Sequence, residues 1–194
     1  APRTLRPHCG NGMTESAHGL CDDITAVIIT FNEAPNIGRT LDGLTWANQV
    51  IIVDSFSDDE TLEIAARYPN VTVHQRRFDN PANQFNHAMQ DMGVTSEWIF
   101  AIDADYVVTE AFVQELTQLN PGSEISGYEC FFDYCVMGRP LRSGIYPPRI
   151  SLFRRTRGTY WQDAHTQRLK ISGEIKPLTS KILHDDRKSL DRWF

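Results

Sequence analysis

The stretch Trp98-Ile99-Phe100-Ala101-Ile102-Asp103-Ala104-Asp105 decides how the rest of the chain is read. An apolar run this short, bounded by polar residues, reads as a strand buried on both faces. Carboxylates at the carboxyl end of such a strand suit a divalent cation, Mg²⁺ or Mn²⁺, held against a diphosphate. Hard cations prefer oxygen, and Mg²⁺ takes only one or two protein carboxylates beside substrate phosphates. A nucleotide-sugar is the ligand this chemistry implies. Taken alone, the triplet also reads as a strand end entering a solvated turn, so its setting in the chain carries the argument.

Working outward, apolar runs alternate with helical spacing. Ile24 to Thr30 is a β-branched strand, Pro35 to Leu44 a helix with proline in its first turn, and Gln49 to Val53 a second strand. A helix over Thr61 to Arg67, a strand over Val71 to Val73 and a helix over Ala82 to Met92 lead into Trp98 to Ile102. Strands apolar throughout and separated by helices predict an α/β architecture, a mostly parallel sheet with helices on both faces. Ligands of such sheets gather beyond the carboxyl ends of the strands. There the chain places Thr30-Phe31-Asn32-Glu33, Asp54-Ser55-Phe56-Ser57-Asp58-Asp59 and Asp103-Ala104-Asp105. Ser57 or Asp59 read singly would cap the following helix; three polar loops at one edge predict a site. Further on, Tyr128 to Val136 reads as an antiparallel strand, Gly138-Arg139-Pro140 as a turn, Tyr146-Pro147-Pro148 as a rigid connection and Ile150 to Arg154 as another strand. This predicts a smaller, mixed region on the acceptor side.

A chain of 194 residues can bury a proper core and is expected to form one domain. No apolar run approaches the roughly 18 to 20 residues that span a bilayer, so a soluble protein is expected. The net charge of −6 hides an asymmetry: residues 1 to 137 carry 6 Lys/Arg against 20 Asp/Glu, and residues 138 to 194 carry 13 against 5. Either the two parts neutralise each other or the second meets an anionic partner such as phosphate or a lipid surface. No nucleic-acid partner is expected. Cys9, Cys21, Cys130 and Cys135 form no CxxC pair and read as reduced and cytosolic, and His8, Cys9, His18 and Cys21 match no common zinc spacing. Residues 1 to 23 lack a hydrophobic pattern and are expected to be an unstructured leader, with Met13 reading as a natural start.

These segments, with Gln84-Phe85-Asn86-His87-Ala88 and Leu152-Phe153-Arg154-Arg155, resemble family 2 glycosyltransferases of the GT-A fold over 24–194, notably bacterial enzymes of lipopolysaccharide core and related cell-surface glycans. The resemblance implies a Rossmann-like GT-A domain with a nucleotide-sugar-binding half over 24–120 and an acceptor half over 121–194. It implies an inverting, metal-dependent hexosyltransferase that moves a sugar from a UDP-linked donor to a hydroxyl of a cell-envelope glycan or glycolipid. Such an enzyme would work in the cytoplasm, at the face of the inner membrane. Glu33 and Asp54 then contact the base or ribose, Asp59 lies near the base, and Thr30, Asn32 and Ser57 belong to the same donor loops. Asp103 and Asp105 serve the ribose and the diphosphate-bound Mn²⁺ or Mg²⁺, while Gln84 and Asn86 stand beside the donor sugar. His184 completes the metal shell or bonds a phosphate, and Arg155, Arg187 and Lys188 neutralise phosphate.

Two positions depart from the family pattern. Tyr106 stands where many relatives carry glutamate after the Asp-x-Asp triplet, and Asp163-Ala164-His165-Thr166-Gln167 replaces a His-Glu pair. An inverting transfer needs a base for the acceptor proton; with Gln167 unable to serve, Asp163 is the first candidate and His165 the second. Arg139, Arg142 and Arg149 are expected to face an anionic or lipid-linked acceptor. A nucleotide-sugar-binding module without catalysis is the alternative. A sugar-phosphate nucleotidyltransferase would want a glycine-rich loop, which Phe31-Asn32-Glu33-Ala34-Pro35 lacks.

Overall fold

The computed structural model describes residues 20–136, 138–144, 147–164 and 166–189. His8, Cys9, Met13, His18, Tyr146 and His165 lie outside the described residues. A 3-10 turn, Leu20–Asp23, precedes the first strand and buries Leu20 in the core, so ordered structure begins inside the expected leader.

The elements in chain order are β1 (Ile24–Thr30), α1 (Ile37–Asp42), β2 (Gln49–Asp54), α2 (Thr61–Ala65), β3 (Val71–Gln75), α3 (Pro81–Asp91), β4 (Trp98–Asp103) and β5 (Tyr106–Val107). There follow α4 (Glu110–Gln118), β6 (Ile125–Val136), β7 (Arg139–Pro140), β8 (Arg149–Arg154), β9 (Gly158–Asp163), β10 (Thr166–Ile171) and β11 (Glu174–His184). Local chemistry starts the longer helices: Asn80 accepts from the Asn83 N–H with Pro81 at the first helical position, and Thr109 accepts from the Phe112 N–H. Arg139–Pro140, expected to be a turn, instead pairs with the end of β6.

One sheet runs β3-β2-β1-β4-β8-β6-β11-β5, with β7 beside β6. Strands β3, β2, β1 and β4 are mutually parallel, β8 runs against both β4 and β6, and β11 is parallel to β6. The sheet is therefore continuous across the expected boundary at residue 120. Period-two alternation sorts its side chains. Ala26, Ile28, Val50, Ile52, Trp98 and Phe100 pack toward α1, α2 and α4, where Phe100 stacks on Phe112 at 5.5 Å. Val27, Ile51, Val53, Ile99 and Ala101 pack on the other face with Phe85, Ala88 and Met89 of α3.

The same face carries a two-stranded hairpin, β9–β10, whose Tyr160 stacks on Phe85 at 4.9 Å. Each fully buried large side chain contributes about 1.5–3 kcal/mol. Asn86 fixes the hairpin by its backbone: its amide donates to the Tyr160 carbonyl at 2.8 Å and its carbonyl accepts from the Tyr160 N–H at 3.0 Å.

Candidate active site

Because β1, β2 and β4 are parallel and in register, Thr30, Asp54 and Asp103 end at one edge. A cleft of about 290 Å³ opens there, lined by Ile29, Thr30, Phe31, Glu33, Ser55, Phe78, Asp103, Ala104 and Asp105. The loops around it are tied to one another. Asp54 is fully buried, accepting from the Thr30 hydroxyl at 2.9 Å and from the Ser57 N–H at 2.9 Å. Asn32 donates from its N–H to the Ser57 hydroxyl at 2.9 Å, and Asp59 accepts from the Ala34 N–H at 3.1 Å. Burial alone would raise the Asp59 pKa, but hydrogen bonds from Thr61 and the Ala34 N–H lower it. Asn32 and Phe56 hold left-handed backbone, φ 53° and 63°, a conformation that costs a phenylalanine strain and that clusters at functional loops.

The segment after β11 closes one side. Asn36, 1% exposed, donates to Glu33 Oε2 at 2.9 Å and to Asp186 Oδ1 at 2.8 Å. It accepts from Arg39 and from the Arg187 N–H, both at 2.8 Å. Asp185 receives Arg39 and Arg187, and Lys188 forms an ion pair with Glu33. Burial raises the Glu33 pKa, opposed by the hydrogen bonds from Lys188 and Asn36.

A second cavity, about 600 Å³, lies on the other side of Asp103 beneath the β9–β10 hairpin. Its lining includes Asp103, Tyr106, Glu129, Arg149, Gln167 and His184. Arg149 donates to Asp103 at 3.1 Å and to the Tyr106 hydroxyl at 2.9 Å. Burial of Arg149 would lower its pKa, but Asp103, Tyr106 and Tyr160 together outweigh this and raise it. Burial, then the same aspartate, raises the Tyr106 pKa. His184 sits between the rings of Tyr106 and Tyr134, at 5.0 and 4.9 Å, with Nε2 3.0 Å from Asp105 Oδ2. Its buried Nδ1 has no hydrogen-bond partner among the described residues.

Thr30, Glu33, Asp103 and Asp105 thus line the first cleft, with Lys188 joined through Glu33 and His184 through Asp105. Other expected residues make bonds within the protein. Asp54, Ser57, Asn32 and Asp59 knit the loops together. Gln84, fully buried, bridges the Ser55 hydroxyl at 2.9 Å and Arg76 at 2.6 Å, and both amide atoms of Asn86 are committed to Tyr160. Arg155 is not brought to this edge: it donates to the Ser96 carbonyl at 3.1 Å, at the amino end of β4. That places its backbone about 20 Å from Asp103, six residues at roughly 3.3 Å each.

Asp163 lines neither cavity. In the hairpin Leu169 pairs with Tyr160 and Gln167 with Gln162, and the apolar pair faces the core, so Gln167 faces inward. Asp163 has the parity of half-exposed Trp161 and pairs with Arg168 at 2.5 Å, a residue that lines the second cavity together with Thr166. Arg139 and Arg142 are exposed, whereas Arg149 lies within the second cavity. Sequence reasoning missed Asn36 and Glu129; asparagine just before a helix was the one available signal for the first.

Residues 25–119 match the family model described as Glycosyl transferase family 2. The SPbeta prophage-derived glycosyltransferase SunS of Bacillus subtilis is 29% identical over 111 residues, 55% of this chain and 26% of that protein. The lipopolysaccharide core biosynthesis glycosyltransferase LpsC of Rhizobium meliloti is 29% identical over 150 residues, 71% of this chain and 53% of its own length. The chain therefore spans about a quarter to half of these curated relatives. Among solved structures, S. aureus TarS 1-349 in complex with UDP-GlcNAc superposes with a TM-score of 0.64 at 16% identity, covering 86% of this chain and 59% of that one, which shows a shared fold.

Proposed function

We propose, from the match of residues 25–119 to the Glycosyl transferase family 2 model, that the protein is a family 2 glycosyltransferase that transfers a sugar, with inversion, from a UDP-linked donor to a hydroxyl of a cell-envelope glycan or glycolipid. The observation that carries this reading is the position of Asp103, which lines both cavities. A donor diphosphate in the first cleft and an acceptor in the second would meet there. TarS, which shares the fold, is seen with UDP-GlcNAc, and LpsC is named for lipopolysaccharide core synthesis; both support the donor and acceptor classes.

The donor set fits a divalent cation. Asp103 and Asp105 offer hard oxygens, and His184 stands against Asp105 with a ring nitrogen. Among the described residues no three His, Cys, Asp or Glu side chains converge, so a cation there would rely on donor phosphates for the rest of its shell. It would supply charge neutralisation for the departing diphosphate. Arg149 steadies Asp103, Lys188 brings a second positive charge to the cleft, and the exposed Phe31 and Phe78 rings line it. No helix among the described residues is long and apolar enough to cross a membrane.

Calorimetric titration with UDP, GDP and CDP in Mn²⁺ tests the reading. Preferential, metal-dependent binding of UDP that is lost in Asp105→Asn is expected. A preference for GDP, or affinity unchanged in Asp105→Asn, overturns the donor assignment.

A further inference from the structure

We propose that Glu129 is the general base of this transfer, the carboxylate that takes the acceptor proton; the assignment rests on the transferase reading above. Glu129 lies in β6 at the level where its pairing with β8 slips, between Tyr128↔Leu152 and Glu129↔Ile150. The extra residue, Ser151, is on β8, so β6 keeps its alternation through Glu129. Gly127, two residues earlier and on the same face, fixes the direction. A Cβ on Gly127 would stand 3.0 Å from the Ile171 side chain of the hairpin. Glu129 therefore rises from the sheet under the hairpin roof, where it lines the second cavity with inward-facing Gln167, Arg149 and Asp103.

The other carboxylates near that space are engaged. Asp103 receives Arg149, Asp105 faces His184, Glu33 is paired with Lys188, and Asp163 is paired with Arg168. Half-buried Glu129 has no ion pair or side-chain hydrogen bond among the described residues. An unclamped carboxylate on the wall of the acceptor cavity is the group free to receive a proton.

In the step, the acceptor O–H proton passes to the Glu129 carboxylate as the oxygen lone pair bonds to the anomeric carbon. The bond from that carbon to the diphosphate oxygen breaks, and its electron pair leaves with UDP. Glu129 then returns the proton to solvent.

The test measures UDP release from UDP-GlcNAc and UDP-glucose with Mn²⁺, in water alone and with octyl glycosides as acceptors, for wild type, Glu129→Gln and Glu129→Asp. Glu129→Gln is expected to lower kcat about 10² to 10⁴-fold with donor affinity and melting temperature unchanged. The fall in rate toward low pH should vanish in Glu129→Gln, and Glu129→Asp, with a shorter carboxylate, should retain an intermediate rate. Wild-type turnover matched by Glu129→Gln with the same pH profile overturns the role of Glu129 alone. A wild type that binds no UDP-sugar, or binds it without turnover, overturns the transferase reading and this assignment with it.

Discussion

Replacing Asn36 by alanine tests whether the segment after β11 is held as the structure implies. The Asn36 amide is saturated: two donors meet the carboxylates of Glu33 and Asp186, and its carbonyl receives Arg39 and the Arg187 N–H. Three of these partners are charged side chains, and hydrogen bonds to charged groups contribute about 1.5–3 kcal/mol each, though not additively within one network. Deleting the amide leaves partly buried charges without their neutral bridge, so a net loss of about 3 kcal/mol is expected. For a domain of this size that is a fall in melting temperature of roughly 6–12 °C. Asn36→Asp separates hydrogen bonding from volume. It keeps the size and the acceptor but turns a carboxylate toward Glu33 and Asp186, so at pH 7 it should melt no higher than the alanine variant. Differential scanning calorimetry of the three proteins measures both. If both variants melt within about 1 °C of wild type, the amide is not the tie that binds this segment to α1.

The remaining expectations follow from placement and charge. Asp163→Asn should retain turnover within about twofold, and Arg155→Ala should retain donor affinity, since Asp163 is engaged by Arg168 outside the lining of either cavity and Arg155 stands at the far sheet edge; a hundredfold loss in either, by UDP-release kinetics or calorimetry, would refute the placement. Asp185 sets an acid limit. Burial would raise its pKa, but Arg187, Arg39 and the Gly138 N–H hold it below the ordinary value. A depressed folded pKa means stability that is present above the unfolded value near ~3.9 and lost as pH falls through the folded one. The melting temperature should therefore drop below about pH 4, and Asp185→Asn should flatten that drop; an identical acid slope in the variant would count against the pairing.

What could be read in advance follows from which interactions are local. Trp98 to Asp103 was legible because a strand buried on both faces must be apolar at every position, and its carboxyl end then follows from chain direction. The Asn80-Pro81 start of α3 carries its own chemistry in the same way. Strand β11 does not. Of its residues only Leu178 and Ile182 are buried, Pro177 interrupts it, and its pairing with β6 shifts register between Pro177 and Lys181. Its existence depends on a partner strand far away in sequence. The placement of Asp163 has a sharper cause. A motif gives spacing, whereas the face a strand residue occupies depends on which neighbours reach the core, here Tyr160 and Leu169. One step of parity moves a carboxylate from a cavity to solvent.

Polar residues at a sheet edge carry the same sequence signature whether they meet a ligand or hold the loops that do. Asp54, Gln84 and Asn86 make bonds of the second kind. Asn86 shows what such bonds do. The second cavity exists because the hairpin is held over the sheet, and the hairpin is tied to α3 through both amide atoms of Asn86 and the stacking of Phe85 on Tyr160. The sheet supplies Asp103, Glu129 and Arg149, and α3 supplies the anchor that keeps Gln167 above them. The two cavities are thus coupled through one helix: Gln84 braces the Ser55 loop at the first cleft, and Asn86, two residues along, positions the roof of the second.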